Sequence, residues 1–252
     1  MPYRKILSVA GLSLILITPN ANADLPTNGL VGYWTGNGNA NDTSTIGNNG
    51  VFDGNYAAGI NGGQAFDLST GIVTIQNNPA YTFGSSFSVG FWFNLNGTNP
   101  NGNAFLGQDF GSGSNPKWFI DYNNGFGAIV YPNANYFLSS NNGVSIPDGW
   151  NQLTVVDNNN TFTWYLNGAN LGSDTTTSLP NPSAPLILGY AEPGLAYAGL
   201  MSNVSLYNTA LTSSDVQNLA NPLSYTSAVP VPSAIWLFSI GLGLLGYKGR
   251  KQ

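Results

Sequence analysis

The stretch Phe87-Ser88-Val89-Gly90-Phe91-Trp92-Phe93-Asn94-Leu95 changes character at every second residue. A β-strand turns successive side chains to opposite faces. Phe87, Val89, Phe91, Phe93 and Leu95 therefore share one face, and Ser88, Gly90, Trp92 and Asn94 share the other. A helix would scatter the same apolar set around its axis. The period recurs in Gly71-Ile72-Val73-Thr74-Ile75-Gln76, Lys117-Trp118-Phe119-Ile120-Asp121-Tyr122, Phe126-Gly127-Ala128-Ile129-Val130-Tyr131, Pro185-Leu186-Ile187-Leu188-Gly189-Tyr190 and Gly199-Leu200-Met201-Ser202-Asn203-Val204. Leu153 and Val155 alternate with Thr154, and two strands are expected to flank the turn Asp157-Asn158-Asn159-Asn160. Short β runs bounded by Gly, Asn and Pro, without a long helical period, predict an all-β protein: a two-sheet antiparallel sandwich or jelly roll filled with apolar side chains. One helix is expected over 213–220, capped by Thr212, with Asp215 facing its N-terminal amides.

Ions contribute little to the polarity of this chain. Only 7% of the 252 residues are charged, against the usual quarter, and Asn, Gly, Ser and Thr supply the rest. The basic residues are Arg4, Lys5, Lys117, Lys248, Arg250 and Lys251, so five of the six lie at the two ends. A body whose one cation is Lys117 lacks the basic clusters that phosphate backbones require, which sets nucleic-acid binding aside. Histidine and cysteine are absent. That excludes a Ser-His-Asp triad, a Cys-His pair and a Cys/His zinc cluster. The single glutamate, Glu192, sits in the turn Ala191-Glu192-Pro193-Gly194 and reads as a solvated turn residue. No acidic pair stands on an identified strand at the spacing a glycosidase of this architecture would use, so a non-enzyme is expected.

The cations at the ends belong to two terminal patterns. Arg4 and Lys5 precede a short apolar core and the small-x-small site Ala21-Asn22-Ala23, the make-up of a secretory signal peptide over 1–23. At the other end, Val229-Pro230-Val231-Pro232-Ser233-Ala234 precedes an apolar run rich in glycine and then the basic stop Lys248, Arg250 and Lys251. Pro230 and Pro232 hold the first part extended. The apolar run serves as a short transmembrane segment with the cations on the cytoplasmic side. In that order, at the extreme C-terminus, these residues resemble a PEP-CTERM sorting signal over 229–252, with Val231 where the name-giving motif has glutamate. The resemblance implies a Gram-negative host, an exosortase as processing partner, transient contact with the inner membrane through the tail, and delivery to the cell surface alongside exopolysaccharide. Residues 224–228 form a small polar linker before it.

The body, 24–223, carries a second resemblance. Leu30-Val31-Gly32-Tyr33-Trp34, Ala65-Phe66-Asp67, Phe87-Ser88-Val89-Gly90-Phe91-Trp92, Trp150-Asn151-Gln152-Leu153, Trp164-Tyr165-Leu166-Asn167-Gly168 and Val204-Ser205-Leu206-Tyr207-Asn208 follow one another in an order similar to the LamG-like, concanavalin A-like jelly roll. The resemblance implies a module that binds glycans or adheres to surfaces. Candidate sugar-stacking aromatics are Trp118, Tyr122, Tyr131, Tyr136, Tyr190 and Tyr197, which are equally suited to filling a core. Calcium prefers loop oxygens, which the loop 37–50 offers with Asp42; the family often holds a structural calcium through an aspartate, and the matching position is Ser202, followed by Asn203. Ser202 stands where the family has an aspartate. An Asx-turn at Asp42 without an ion is the competing expectation.

Overall fold

The computed structural model describes residues 25–97, 102–109, 116–123, 125–131, 135–138, 144–175, 179–191 and 194–222, with the backbone alone at 129, 131 and 135–138. The expected signal and sorting segments, with Val229 to Ala234 and the basic stop, lie outside the described residues, as does Glu192. No helix among the described residues is long and apolar enough to cross a membrane.

Two antiparallel sheets face one another. The first runs β13 (Ala169–Thr175), β12 (Thr161–Leu166), β11 (Trp150–Asn158), β6 (Ser86–Asn94), β15 (Leu200–Tyr207), β4 (Gln64–Asp67) and β3 (Asn55–Ala58), and β1 (Leu30–Trp34) also pairs with β15. The second runs β10 (Asn135–Leu138), β9 (Phe126–Tyr131), β8 (Lys117–Tyr122), β7 (Asn103–Gln108), β14 (Leu186–Leu188), β5 (Val73–Ile75) and β2 (Gly50–Phe52). The expected all-β antiparallel sandwich is therefore the fold.

The alternation read in the sequence sets the register. Across the first sheet Phe91 faces Leu153 and Val89 faces Val155, and both rows point inward. The second sheet answers with Trp118, Ile120 and Tyr122 of β8, Phe126, Ala128 and Val130 of β9, and Leu186 and Leu188 of β14. Phe105 of β7 joins the layers. Its ring centroid lies 5.3 Å from Phe91, 5.1 Å from Phe93 and 4.8 Å from Tyr197. Tilted and edge-on contacts of this kind each add about 0.5–1.5 kcal/mol to the burial itself.

The expected helix is α1 (Ser213–Leu219), closed by a reciprocal capping box between Thr212 and Asp215. It lies on the outer face of the first sheet, where Val216 and Leu219 pack with Val156 and Tyr207. Gly90 permits the approach, because a Cβ there would stand 2.9 Å from Leu219 Cδ1. Past the helix the chain returns toward β4, and the Asn61 side chain donates to the Pro222 carbonyl.

The hairpin between β11 and β12 is tighter than expected. Asp157 and Asn158 belong to β11, and the turn is Asn159-Asn160 alone, with φ of 52° and 62°. Both lie in the left-handed region that a two-residue type I′ turn requires and that asparagine tolerates. The extension of β11 carries Asp157 inward, opposite Phe87 and Phe162.

A candidate binding cleft at the sandwich rim

β15 has neighbours on both sides, and on one side they change along its length. Leu200 and Met201 pair with β4, whereas Val204 to Tyr207 pair with β1. Between them the register of β15 slips from Ser202 to Ser205. Asn203 occupies the slip with φ of 51°. Only glycine, asparagine and aspartate reach this region readily, and a bulge of this kind re-aims the side chain it carries.

An open cleft of about 130 Å³ forms where β1 and β4 part company, lined by Tyr33, Thr35, Asn37, Ile60, Gly63, Gln64 and Asn203. Asn203 is only 7% exposed. Its N–H donates to the Thr35 carbonyl at 3.3 Å, and its Oδ1 accepts from the Tyr33 hydroxyl at 3.1 Å. Asn37 braces the opposite wall: its Oδ1 accepts from the Gln64 N–H at 3.1 Å, and its own N–H donates to Thr35 Oγ1 at 3.2 Å. The lining is hydroxyl, carboxamide, one aromatic ring and one aliphatic side chain, without an ion. Such a surface can exchange hydrogen bonds with a neutral polar ligand while stacking little.

Asp42 stands behind this wall and serves a different purpose from the expected calcium ligand. Its Oδ1 accepts the N–H groups of Tyr33 at 2.9 Å and Ser44 at 2.8 Å. Its Oδ2 accepts the N–H of Asn48 at 2.7 Å and the Ser44 hydroxyl at 3.0 Å. The bond to Ser44, two residues on, is the Asx-turn of the competing expectation. Four donors occupy the lone pairs that a cation would need. Nor do the three expected ligands converge. Asp42 holds the backbone of Tyr33, Asn203 holds its phenol end, and Ser202 lies buried on the sheet with its Oγ making no hydrogen bond. Among the described residues no group of three His, Cys, Asp or Glu could hold a metal ion.

Of the expected sugar-stacking aromatics, three lie away from the surface. Trp118, Tyr122 and Tyr197 fill the core, and their polar tips are satisfied there. Trp118 Nε1 donates to Gln108 Oε1 at 3.1 Å, the Tyr122 hydroxyl to the Val144 carbonyl at 2.9 Å, and the Tyr197 hydroxyl to the Asn94 carbonyl at 2.8 Å. Burial drives the Tyr197 phenol far above its ordinary pKa. Tyr190 is half-buried and bridges to Ala196. Tyr131 and Tyr136 lie on β9 and β10, with side chains outside the described residues.

Sequence reasoning also passed over a second polar feature. On β8, Lys117, Phe119 and Asp121 face away from the core. Lys117 Nζ lies 3.7 Å from Asp109 Oδ2, and both side chains are almost fully enclosed. Asp121 is 3% exposed. The signal was present: the body's one cation stands four residues before an acid on a strand of period two, so both occupy one face. Burying charges is expensive unless they are paired, and Lys117 is held by Asp109.

With the geometry in place, resemblances to known proteins fall into order. No curated protein matches the chain. Among solved structures it resembles domain 4 of AbnA, an extracellular arabinanase from Geobacillus stearothermophilus solved with arabinotriose, at 18% identity and a TM-score of 0.63, covering 78% of this chain and 100% of that one. It also resembles the binding domain of botulinum neurotoxin DC solved with rat synaptotagmin II, at 18% identity and a TM-score of 0.57, covering 79% of this chain and 52% of that one. Trypanosoma rangeli sialidase, solved with the inhibitor DANA, matches at 16% identity and a TM-score of 0.54, over 78% of this chain and 33% of the enzyme. The chain thus spans about half of the toxin domain and a third of the sialidase, and these likenesses establish the fold. The family model Laminin_G_3 matches residues 67–217, more than half of the sequence, and the chain belongs to the concanavalin A-like lectin/glucanases superfamily.

Proposed function

We propose that this chain is an exported, non-catalytic surface or matrix protein whose sandwich binds carbohydrate, delivered through its C-terminal tail. The observation that carries the carbohydrate reading is the rim cleft, where hydroxyls and carboxamides from β1, β4 and the β15 bulge converge without an ion. The likeness to an arabinanase domain solved with arabinotriose, matched over its full length, supports it. A non-catalytic role is supported by the absence of histidine and cysteine and by the enclosure of Asp109 and Asp121, which leaves neither carboxylate open to act as acid or nucleophile. A protein-binding adhesin without a glycan site would need an exposed apolar patch. The large hydrophobics exposed among the described residues are Ile46 and Val51, too few to form one.

Export and sorting rest on the terminal patterns. Arg4 and Lys5 before an apolar run support a signal peptide, and Val229-Pro230-Val231-Pro232 before an apolar run and Lys248, Arg250 and Lys251 supports recognition by an exosortase. In the Gram-negative host this implies an inner-membrane-tethered precursor and a cell-surface product. Deleting 229–252 is expected to leave an exported protein that fractionates away from the membrane; persistent membrane retention would contradict the sorting role. The carbohydrate reading is tested with the full chain on immobilised host exopolysaccharide and a panel of cell-surface glycans. Retention that free glycan competes away is expected, and absence of retention at millimolar glycan contradicts it.

A further inference from the structure

We infer that the rim cleft recognises a single uncharged sugar unit, whose hydroxyls accept hydrogen bonds from the Asn203 carboxamide; the inference rests on the carbohydrate reading and narrows it. Asn203 is more than nine-tenths buried and lines the cleft. Its Oδ1 is engaged by the Tyr33 hydroxyl, while its Nδ2 donates to no group among the described residues. That N–H₂ is not among the sealed, unpaired polar atoms of the described residues, so it meets the open space of the cleft, where a ligand acceptor would take the place of water. The fold also spends a left-handed residue and a break in the β15 ladder to place it there. A group held at such expense and pointed at solvent-filled space is suited to a ligand acceptor.

The rest of the lining defines that ligand. On the facing wall the Gln64 carboxamide makes no hydrogen bond among the described residues, although its backbone N–H is held by Asn37. Thr35 Oγ1 accepts from the Asn37 N–H and keeps its own hydrogen to donate. Together these groups offer donors and acceptors in the mixed pattern that sugar hydroxyls, each both donor and acceptor, can satisfy. Neither a carboxylate nor a cation lines the cleft. A uronate or sulfate entering it would lose hydration and gain no counter-charge. It would also approach an acidic protein, net charge -5, whose one cation between residues 24 and 223 is enclosed beside Asp109. The ligand is therefore neutral. A cleft of about 130 Å³ takes about one ring rather than an oligomer, below the 300 Å³ or more of drug-sized pockets, so a chain end or a branch is recognised.

The left-handed backbone at Asn203 makes a clean test available. Glycine adopts that φ without strain, so Asn203→Gly removes the carboxamide and leaves the bulge intact. The full chain, Asn203→Gly and Gln64→Ala are titrated calorimetrically with neutral arabino-, xylo-, gluco- and galacto-oligosaccharides and with acidic oligogalacturonate, and each variant's thermal unfolding is recorded beside the parent's. The expected result is binding of at least one neutral series, a tenfold or greater loss in Asn203→Gly, a smaller loss in Gln64→Ala, and no binding of oligogalacturonate. Neutral binding that survives Asn203→Gly unchanged would overturn the cleft assignment and leave the carbohydrate reading standing. Binding of oligogalacturonate alone would overturn the ligand class. No binding of any saccharide would overturn both. Should Asn203→Gly unfold, Gln64→Ala, an exposed change, decides the matter: unchanged affinity there contradicts the assignment.

Discussion

Replacing Asp42 with alanine is expected to lower the stability of the protein by about 3 kcal/mol, because charge-assisted hydrogen bonds are the strong ones and orphaned amides are costly. The carboxylate gathers three backbone N–H groups, from Tyr33, Ser44 and Asn48, together with the Ser44 hydroxyl. It ties the end of β1 to the loop that carries Asn48, whose backbone carbonyl accepts from Trp34 Nε1 at 3.1 Å and whose side chain donates to the Tyr81 hydroxyl at 2.8 Å. A single side chain therefore organises one whole corner of the sandwich. Asp42→Asn keeps an acceptor at Oδ1 and places a donor where Asn48 N–H now points, so about half of the loss is expected. Chemical denaturation of the three proteins checks the order. Adding calcium or a chelator to the parent is expected to leave its melting temperature unchanged, since internal donors already fill the carboxylate. A calcium-dependent rise abolished in Asp42→Asn would restore the ion-binding expectation.

The second large effect comes from Asp157, which is fully buried on the inner face of β11 between Phe87 and Phe162. Desolvation pushes its pKa up to about 6, and the nearby backbone N–H groups of Asn160 and Thr161 offset only part of that. The folded state then holds this proton more tightly than the unfolded chain, whose carboxyl titrates near 3.8. Its unfavourable contribution is absent below pH 4, grows as the pH rises from about 4 to 6, and is nearly complete above that; at neutral pH it amounts to about 3 kcal/mol. Asp157→Asn keeps the shape and removes the charge. It is expected to stabilise the protein by about 1–2 kcal/mol at pH 7 and to be near neutral at pH 4. Unfolding at pH 4, 5.5 and 7 distinguishes this from a carboxylate that the fold needs, for which the substitution would destabilise at pH 7.

The residue behind the second prediction shows where the sequence could mislead. Asp157-Asn158-Asn159-Asn160 has the composition of a turn, and a turn is present, but the two-residue form consumes only Asn159 and Asn160. Composition marks a turn without fixing its length, and a turn shorter by two residues puts the Asp157 carboxylate on a strand facing the core. Where alternation was strong, as in β6, β11 and β15, the strands and their inward faces were legible. β7 was not, because a bulge at Phe105 turns two successive residues, Phe105 and Leu106, toward the core and breaks the period. β2 and β3 are short and poorly buried, so they carry little pattern to read. The helix was legible because its capping box is local.

The cleft lay beyond sequence reasoning for a related reason. Tyr33 and Asn203 are 170 positions apart when they bond, and Gln64 arrives from a third strand. Their meeting depends on β15 exchanging one neighbour for another, a property of topology. Asn203 itself was noticed, but for a charge-based role that its neutral surroundings do not support. The candidate aromatics suited either a sugar-stacking surface or the core, and Trp118, Tyr122 and Tyr197 are in the core.

The central claim is that this sandwich binds a neutral saccharide at the rim between β1 and the β15 bulge. Its most direct test is the amide NMR spectrum of the protein titrated with a neutral oligosaccharide that it binds. Shifts are expected to concentrate at Thr35, Asn37, Gly63, Gln64 and Asn203 and in the Asn203 and Gln64 side-chain amides. Shifts clustered instead on the outer face of β8, around Lys117 and Asp121, would contradict the account.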